Sequence, residues 1–178
     1  MQHKCKVTVI DKKLFPELQA KYLADPASGA CPFYEVGQEF VFERYGGKDD
    51  FWREGNGTQC AEAWDCISRY IYTALQGGAV MRGWTNDERL MIACCNDGTR
   101  PVVFRIERID YKAVYCSAVG NESAEKNFAS ALSEYNAVRK TAFDRDRGFA
   151  EIILDKELSD ADILAAAKRC GIAVTKID

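Results

Sequence analysis

Histidine is almost missing from this chain of 178 residues, which holds one, His3. That excludes papain-like acyl transfer, where an imidazole must activate the cysteine. It also excludes metal sets that mix several imidazoles with thiolates. No C-x-x-C pair occurs among the eight cysteines, so zinc ribbons and thioredoxin motifs are absent. No apolar run is long enough to cross a bilayer, so no membrane partner is expected. No Lys/Arg stripe stands out, the formal charge is −3 and the pI is near 5.4, so nucleic acid is not an expected partner either. Gly77-Gly78 lacks the Lys-Ser/Thr that would make it a phosphate loop. The start, Met1-Gln2-His3-Lys4-Cys5, lacks the apolar segment of a secretory signal, which makes the cytoplasm the expected location and free thiols the expected state.

What is present fits a folded protein. The hydrophobic fraction is 47% and the charged fraction 29%, and the length suits one large or two small domains. The cysteines are Cys5, Cys31, Cys60, Cys66, Cys94, Cys95, Cys116 and Cys170. Taken singly, each reads first as a small buried hydrophobe. His3 behind a free amino terminus can hold Cu(II) or Ni(II), but a frayed end with an incidental histidine is the preferred reading.

Lys4 to Ile10 reads as a strand with Cys5, Val7 and Val9 on one face. Pro16 to Leu23 reads as a short helix with proline in its first turn. A strand is expected from Phe40 to Arg44. The polar, glycine-rich stretch 46–57 reads as a loop whose Phe51 and Trp52 cover the core. Cys60 to Gln76 reads as a helix with Cys60, Trp64, Ile67, Ile71, Ala74 and Leu75 on its apolar face and Thr58 as N-cap. That puts Cys60 in the first turn, where the positive helix end favours a thiolate.

The clearest local signal is Glu88 to Asp110, which reads as a β-hairpin turning at Asp97-Gly98, since a two-residue turn needs positive φ at both central residues. This register sets Cys95 opposite Arg100, Ala93 opposite Val102 and Met91 opposite Phe104, with Cys95 on the apolar side and Cys94 on the other.

Lys4-Cys5-Lys6-Val7-Thr8-Val9, Cys31-Pro32, Val36-Gly37-Gln38-Glu39-Phe40, Cys60 with Ala63-Trp64-Asp65, Gly77-Gly78 and Ala93-Cys94-Cys95-Asn96-Asp97-Gly98 leading into Pro101-Val102-Val103-Phe104 occur in this order. Together they resemble a family of small, cysteine-containing bacterial proteins. Members of that family end near the hairpin. The resemblance therefore implies a domain over 1–110 and names no substrate or cofactor.

From Tyr111 onward the pattern is a strand to Val119, a helix over 123–135, strands over 139–144 and 148–154, a helix opened by Ser159, and a strand over 172–177. That order, βαββαβ, is the ferredoxin-like unit. The expected fold class is α+β. It combines a mixed strand/helix domain carrying a β-hairpin (1–110) with a ferredoxin-like sandwich (111–178). Phe128, Leu132, Ile163 and Leu164 are expected in the helix–sheet interface, over Phe149 or Ala150, Ile152 and Val174. Ala137-Val138, Gly148-Phe149-Ala150-Glu151-Ile152, Ser159 to Leu164 and Cys170-Gly171-Ile172-Ala173-Val174 resemble a heavy-metal-associated domain of the copper-chaperone type. The resemblance implies a C-x-x-C metal loop, but its two positions are Asn121 and Ala124 here, and neither binds a soft metal. Cys116 and Cys170 are expected in the core.

Three functions compete. A non-enzymatic binding module would gather Cys31, Cys60, Cys94 and Cys95 around a soft or borderline metal such as zinc, or around a small ligand. A thiol redox enzyme would use Cys60, or Cys95 opposite Arg100, as nucleophile. A structural protein would assemble, as a homo-oligomer for example, through an edge or face of the ferredoxin-like sheet. The binding module is the favoured reading.

Overall fold

The structure is a computed structural model and describes residues 1–44 and 60–178. Thr58, Phe51 and Trp52 lie outside the described residues. The protein is α+β, with antiparallel strand pairs and four α-helices among those residues. The chain separates into two compact units, His3–Arg108 and Ile109–Asp178 with Met1–Gln2.

In the first unit, β1 (Gln2–Lys12) pairs antiparallel with β2 (Glu39–Glu43), placing Cys5 opposite Phe42 and Val7 opposite Phe40. Cys5, Val7 and Val9 are fully buried, as their alternation requires. The short helix α1 (Pro16–Tyr22) follows β1. The helix α2 (Ala61–Leu75) buries Ala63, Ile67, Ile71, Ala74 and Leu75. Trp64 stays half-buried and lies against the Phe42 ring at 5.9 Å. Burying a side chain the size of Ile67, Ile71 or Leu75 contributes about 1.5–3 kcal/mol.

β3 (Leu90–Cys94) and β4 (Val102–Cys116) form the expected hairpin in a different register. Met91 faces Ile106 and Ala93 faces Phe104, two residues from the expected pairing. The cause lies in the turn. Gly98 does not take the left-handed conformation that a two-residue turn requires. Instead the Asp97 carboxylate accepts hydrogen bonds from the backbone N–H groups of Thr99 and Arg100, at 2.9 and 3.1 Å, and closes a longer loop over 95–101. A two-residue shift keeps every side chain on its expected face, so Met91, Val102, Phe104 and Ile106 are buried while Cys94 is exposed.

His3 is part of β1 and not a frayed end. Its ring packs so closely on Gly77 that a Cβ there would meet Nε2 at 2.4 Å. Gly77 also has φ +73, so glycine is required twice over at this position. Arg108 donates to the carbonyls of Gly77 and Gly78, at 3.0 and 2.7 Å.

In the second unit the order is β4, α3 (Glu122–Ser133), β5 (Val138–Asp144), β6 (Phe149–Leu154), α4 (Asp160–Arg169), β7 (Val174–Ile177). β4 pairs antiparallel with β6 on one side and β7 on the other, and β6 pairs antiparallel with β5, giving the strand order β7-β4-β6-β5. The sequence reading splits β4 near Asp110, but the strand runs on. Asp110 and Lys112 are buried, and the Lys112 ammonium pairs with the Asp160 carboxylate at the start of α4. Ser159 caps α4 by accepting from the Asp162 N–H at 3.1 Å.

Phe128, Leu132, Ile163, Ala150, Ile152 and Leu154 form the core of this unit, with Val174, Cys116 and Cys170 packed at its margin. Of the two residues expected here, Phe149 or Ala150, Ala150 lies in this core, while Phe149 groups with Tyr111 and Ala113 in a separate cluster. One expectation changes. Leu164 is exposed, because α4 turns Ile163, Ala166 and Ala167 inward. Ile163→Ala is therefore expected to destabilise the protein by about 2–5 kcal/mol and Leu164→Ala by well under about 1 kcal/mol. Urea unfolding checks the pair, and equal losses would refute this orientation of α4.

Candidate functional site

The first unit contains a cavity of about 140 Å³ whose lining includes three thiols, Cys31, Cys60 and Cys95. Pro32, Phe33, Tyr34 and Val102 supply apolar wall, and Glu62, Asp97 and Arg100 supply charge. Each thiol comes from a different kind of segment. Cys31 sits in the loop after α1. Cys60 is the N-cap residue of α2, one position outside the helix rather than in its first turn. Cys95 follows β3.

Tyr34 stands at the centre of this arrangement. Its ring meets Phe40 and Phe104 edge-on, with centroids at 6.0 and 5.3 Å. Its hydroxyl oxygen accepts the Cys60 backbone N–H at 3.0 Å. Burial pushes the Tyr34 hydroxyl above its usual pKa; the Cys60 N–H opposes this, and the nearby Cys60, Cys31 and Cys95 thiols add to the rise. The Lys12 ammonium donates to the Tyr34 carbonyl at 2.5 Å.

Other polar groups fix the walls. Gln19 is buried on α1, where it donates to the Gly29 carbonyl and accepts from the Gly29 N–H, both at 3.0 Å, which pins the chain just before Cys31. Asn96 ties the 95–101 loop to α2 by donating to Asp65 Oδ2 at 3.1 Å and accepting from the Cys66 thiol at 2.8 Å. The Cys95 sulfur accepts the Val102 N–H at 3.3 Å, and the Cys95 N–H donates to the Val102 carbonyl at 3.1 Å. Arg100 Nε donates to Asp97 Oδ2 at 2.9 Å. Burial raises the Asp97 carboxyl, but the hydrogen bonds from Thr99 and Arg100 outweigh it and hold the group below its usual range.

The structure thus brings Cys31, Cys60 and Cys95 to one cavity and leaves Cys94 out. Consecutive strand residues point to opposite faces, and Cys94 takes the exposed one. Among the described residues no group of three or more His, Cys, Asp or Glu side chains is placed to hold a metal ion. Of the four cysteines expected to converge on a metal or small ligand, Cys31, Cys60 and Cys95 thus line one cavity and Cys94 does not. Cys5 is fully buried, and burial pushes its thiol far above the ordinary range, so it is inert.

Sequence reasoning missed Gln19, Tyr34 and Glu62 as parts of this site. Only Asp97 carried a readable signal, since aspartate two residues before threonine is a turn that hydrogen-bonds its own backbone. In the second unit, where the resemblance places a metal loop, Asn121 instead caps α3, accepting from the Ser123 and Ala124 N–H groups at 3.1 and 3.2 Å. Glu125 closes the same loop by accepting from the Gly120 N–H at 2.8 Å and pairing with Arg145 at 2.8 Å.

No family model matches the chain, and neither a curated protein nor a solved structure does. Among the described residues no helix is long and apolar enough to cross a membrane.

Asp97 has a testable pH signature. Its folded-state pKa lies below the unfolded value, so the stability it contributes is present above the unfolded pKa, about 4, and is lost as pH falls through the folded value. Asp97→Asn should be less stable than the parent at neutral pH, and the gap should close below about pH 4. Urea titrations of both proteins across this range check it, and a gap that widens on acidification would contradict the network.

Proposed function

We propose that the protein is a non-enzymatic module that binds a small ligand in the thiol-lined cavity of its first unit. The observation that carries this reading is the convergence of Cys31, Cys60 and Cys95, all partly accessible, on one cavity anchored by Tyr34. A cavity near 140 Å³ suits a molecule of about six heavy atoms, the size of benzene. Its mostly apolar wall with a few convergent polar groups is the usual makeup of a ligand site. The thiols give it affinity for soft or thiophilic groups.

The second unit is, on this reading, a ferredoxin-like domain akin to heavy-metal-associated domains but without their metal loop. Its support is the βαββαβ order with strands in the sequence β7-β4-β6-β5 and helices in both crossovers. Asn121 and Ala124 supply no thiolate, so this unit contributes structure and not metal affinity.

Timed alkylation of the reduced protein with iodoacetamide, mapped by mass spectrometry, tests the cavity. Cys31, Cys60 and Cys95 should label faster than buried Cys5 by at least about tenfold, since accessible thiols react and buried ones do not. A small apolar thiol-free occupant such as benzene should slow all three and leave exposed Cys94 unchanged. Labelling of the three at the Cys5 rate would remove the reading.

A further inference from the structure

The mouth of the cavity carries an uneven charge. Arg100 is committed to Asp97 through Nε at 2.9 Å, and its Nη1 donates to the Ser28 carbonyl at 3.4 Å. These two charges offset one another. Glu62 lines the same cavity, and among the described residues no partner holds its carboxylate. Among the described residues, Glu62 is thus an unpaired carboxylate on the cavity wall. Glu62 and Cys60 lie two positions apart at the start of α2, so the unpaired charge and a thiol share one wall. The apolar remainder of the wall, Pro32, Phe33 and Val102, gives a small carbon chain something to rest on.

We propose that the cavity takes small disulfides bearing an ammonium group and captures one half of them on Cys60 as a mixed disulfide. This rests on the small-ligand reading of the same cavity and names its ligand class. In the step, the Cys60 thiolate attacks one sulfur of R–S–S–R. A new S–S bond forms between Cys60 and that sulfur, and the original S–S bond breaks. The departing thiolate keeps the electron pair and takes up the proton that Cys60 released. Cys60 sulfur is oxidised, the departing sulfur is reduced, and no other oxidant is required. The Glu62 carboxylate selects the cationic end by simple attraction, and the half that remains, sulfur, two carbons and nitrogen for an aminoethyl group, is well within the volume available.

Three reagents of similar length and different charge test the idea on the full reduced protein. They are cystamine (cationic), bis(2-hydroxyethyl) disulfide (neutral) and 3,3′-dithiodipropionate (anionic). Each rate is divided by that reagent's rate with N-acetylcysteine, which removes differences in leaving group. Cystamine should lead the neutral reagent by roughly threefold and the anionic one by more, the size expected of one partly exposed charge pair. The adduct should map to Cys60. The preference should shrink in high salt and vanish in Glu62→Gln. Serine is a favoured N-cap residue, so Cys60→Ser should fold and lose the adduct. Equal normalised rates, an adduct on another cysteine, or a preference that survives Glu62→Gln would overturn the proposal. If iodoacetamide still labels the three cavity thiols rapidly in that case, the small-ligand reading stands and only the ligand class falls. If it does not, the cavity reading itself falls.

Discussion

The alternation of β4 is the constraint on which both units depend. Over Val102, Phe104 and Ile106 its even-numbered side chains fill the core of the first unit, against β1 and α2. At Val114 it enters the core of the second unit, beneath α3 and α4. In the first unit a one-residue slip against β3 would turn Phe104 outward, and in the second a one-residue slip against β6 would turn Val114 outward. Asp110 and Lys112 lie in the second unit's part of this strand at low exposure. Lys112 is buried and pairs with the more exposed Asp160, so removing Asp160 would take the partner from an ammonium in a poorly solvated place.

The cavity exists because a packed sheet face ends there and loops take over. Phe104 belongs to the core, and Tyr34 meets it edge-on from a loop. Tyrosine suits that position because its ring can be buried while its hydroxyl reaches the backbone of Cys60. Loops ordinarily move, and a site built on them needs other ties. Gln19, Asn96 and Asp97 supply these ties, each bonding more than one partner. Their hydrogen bonds do for the thiols what secondary structure does for the core. They hold three sulfurs at one place although the chain positions, 31, 60 and 95, are far apart.

Periodicity made the cores legible. Cys5, Val7 and Val9 alternate, and Ile67, Ile71 and Ala74 recur at helical spacing, so the faces could be read from residue type alone. Capping chemistry made the start of α4 legible through Ser159 and Asp162. What could not be read were the features decided by side chains bonding to backbone. Asp-Gly favours a tight turn in isolation, but the Asp97 carboxylate has stronger partners in Thr99 and Arg100, and the loop lengthens. The length of β4 was hidden by its charged middle, since nothing in Arg108-Ile109-Asp110 announces a strand whose polar groups are paired elsewhere. Leu164 beside Ile163 offered two candidates for one buried position, and helical spacing alone does not choose between neighbours. Gln19 looked like an ordinary residue of a short helix.

The eight thiols show how far burial alone can separate identical groups. Cys5 lies wholly inside a core, where its charged form has no solvation and the residue behaves as a small hydrophobe. Cys66 and Cys116 are pushed the same way by burial, Cys66 further by the neighbouring Asp65 carboxylate. Cys94 is exposed at the end of β3 and is not among the residues lining the cavity. Cys31, Cys60 and Cys95 combine partial access with an enclosing, mostly apolar surface. Access without enclosure gives reactivity without selection, and enclosure without access gives neither. Selection by shape and charge can act at this cavity, which is also where the buried Gln19, the edge-on Tyr34 and the turn residue Asp97 lie.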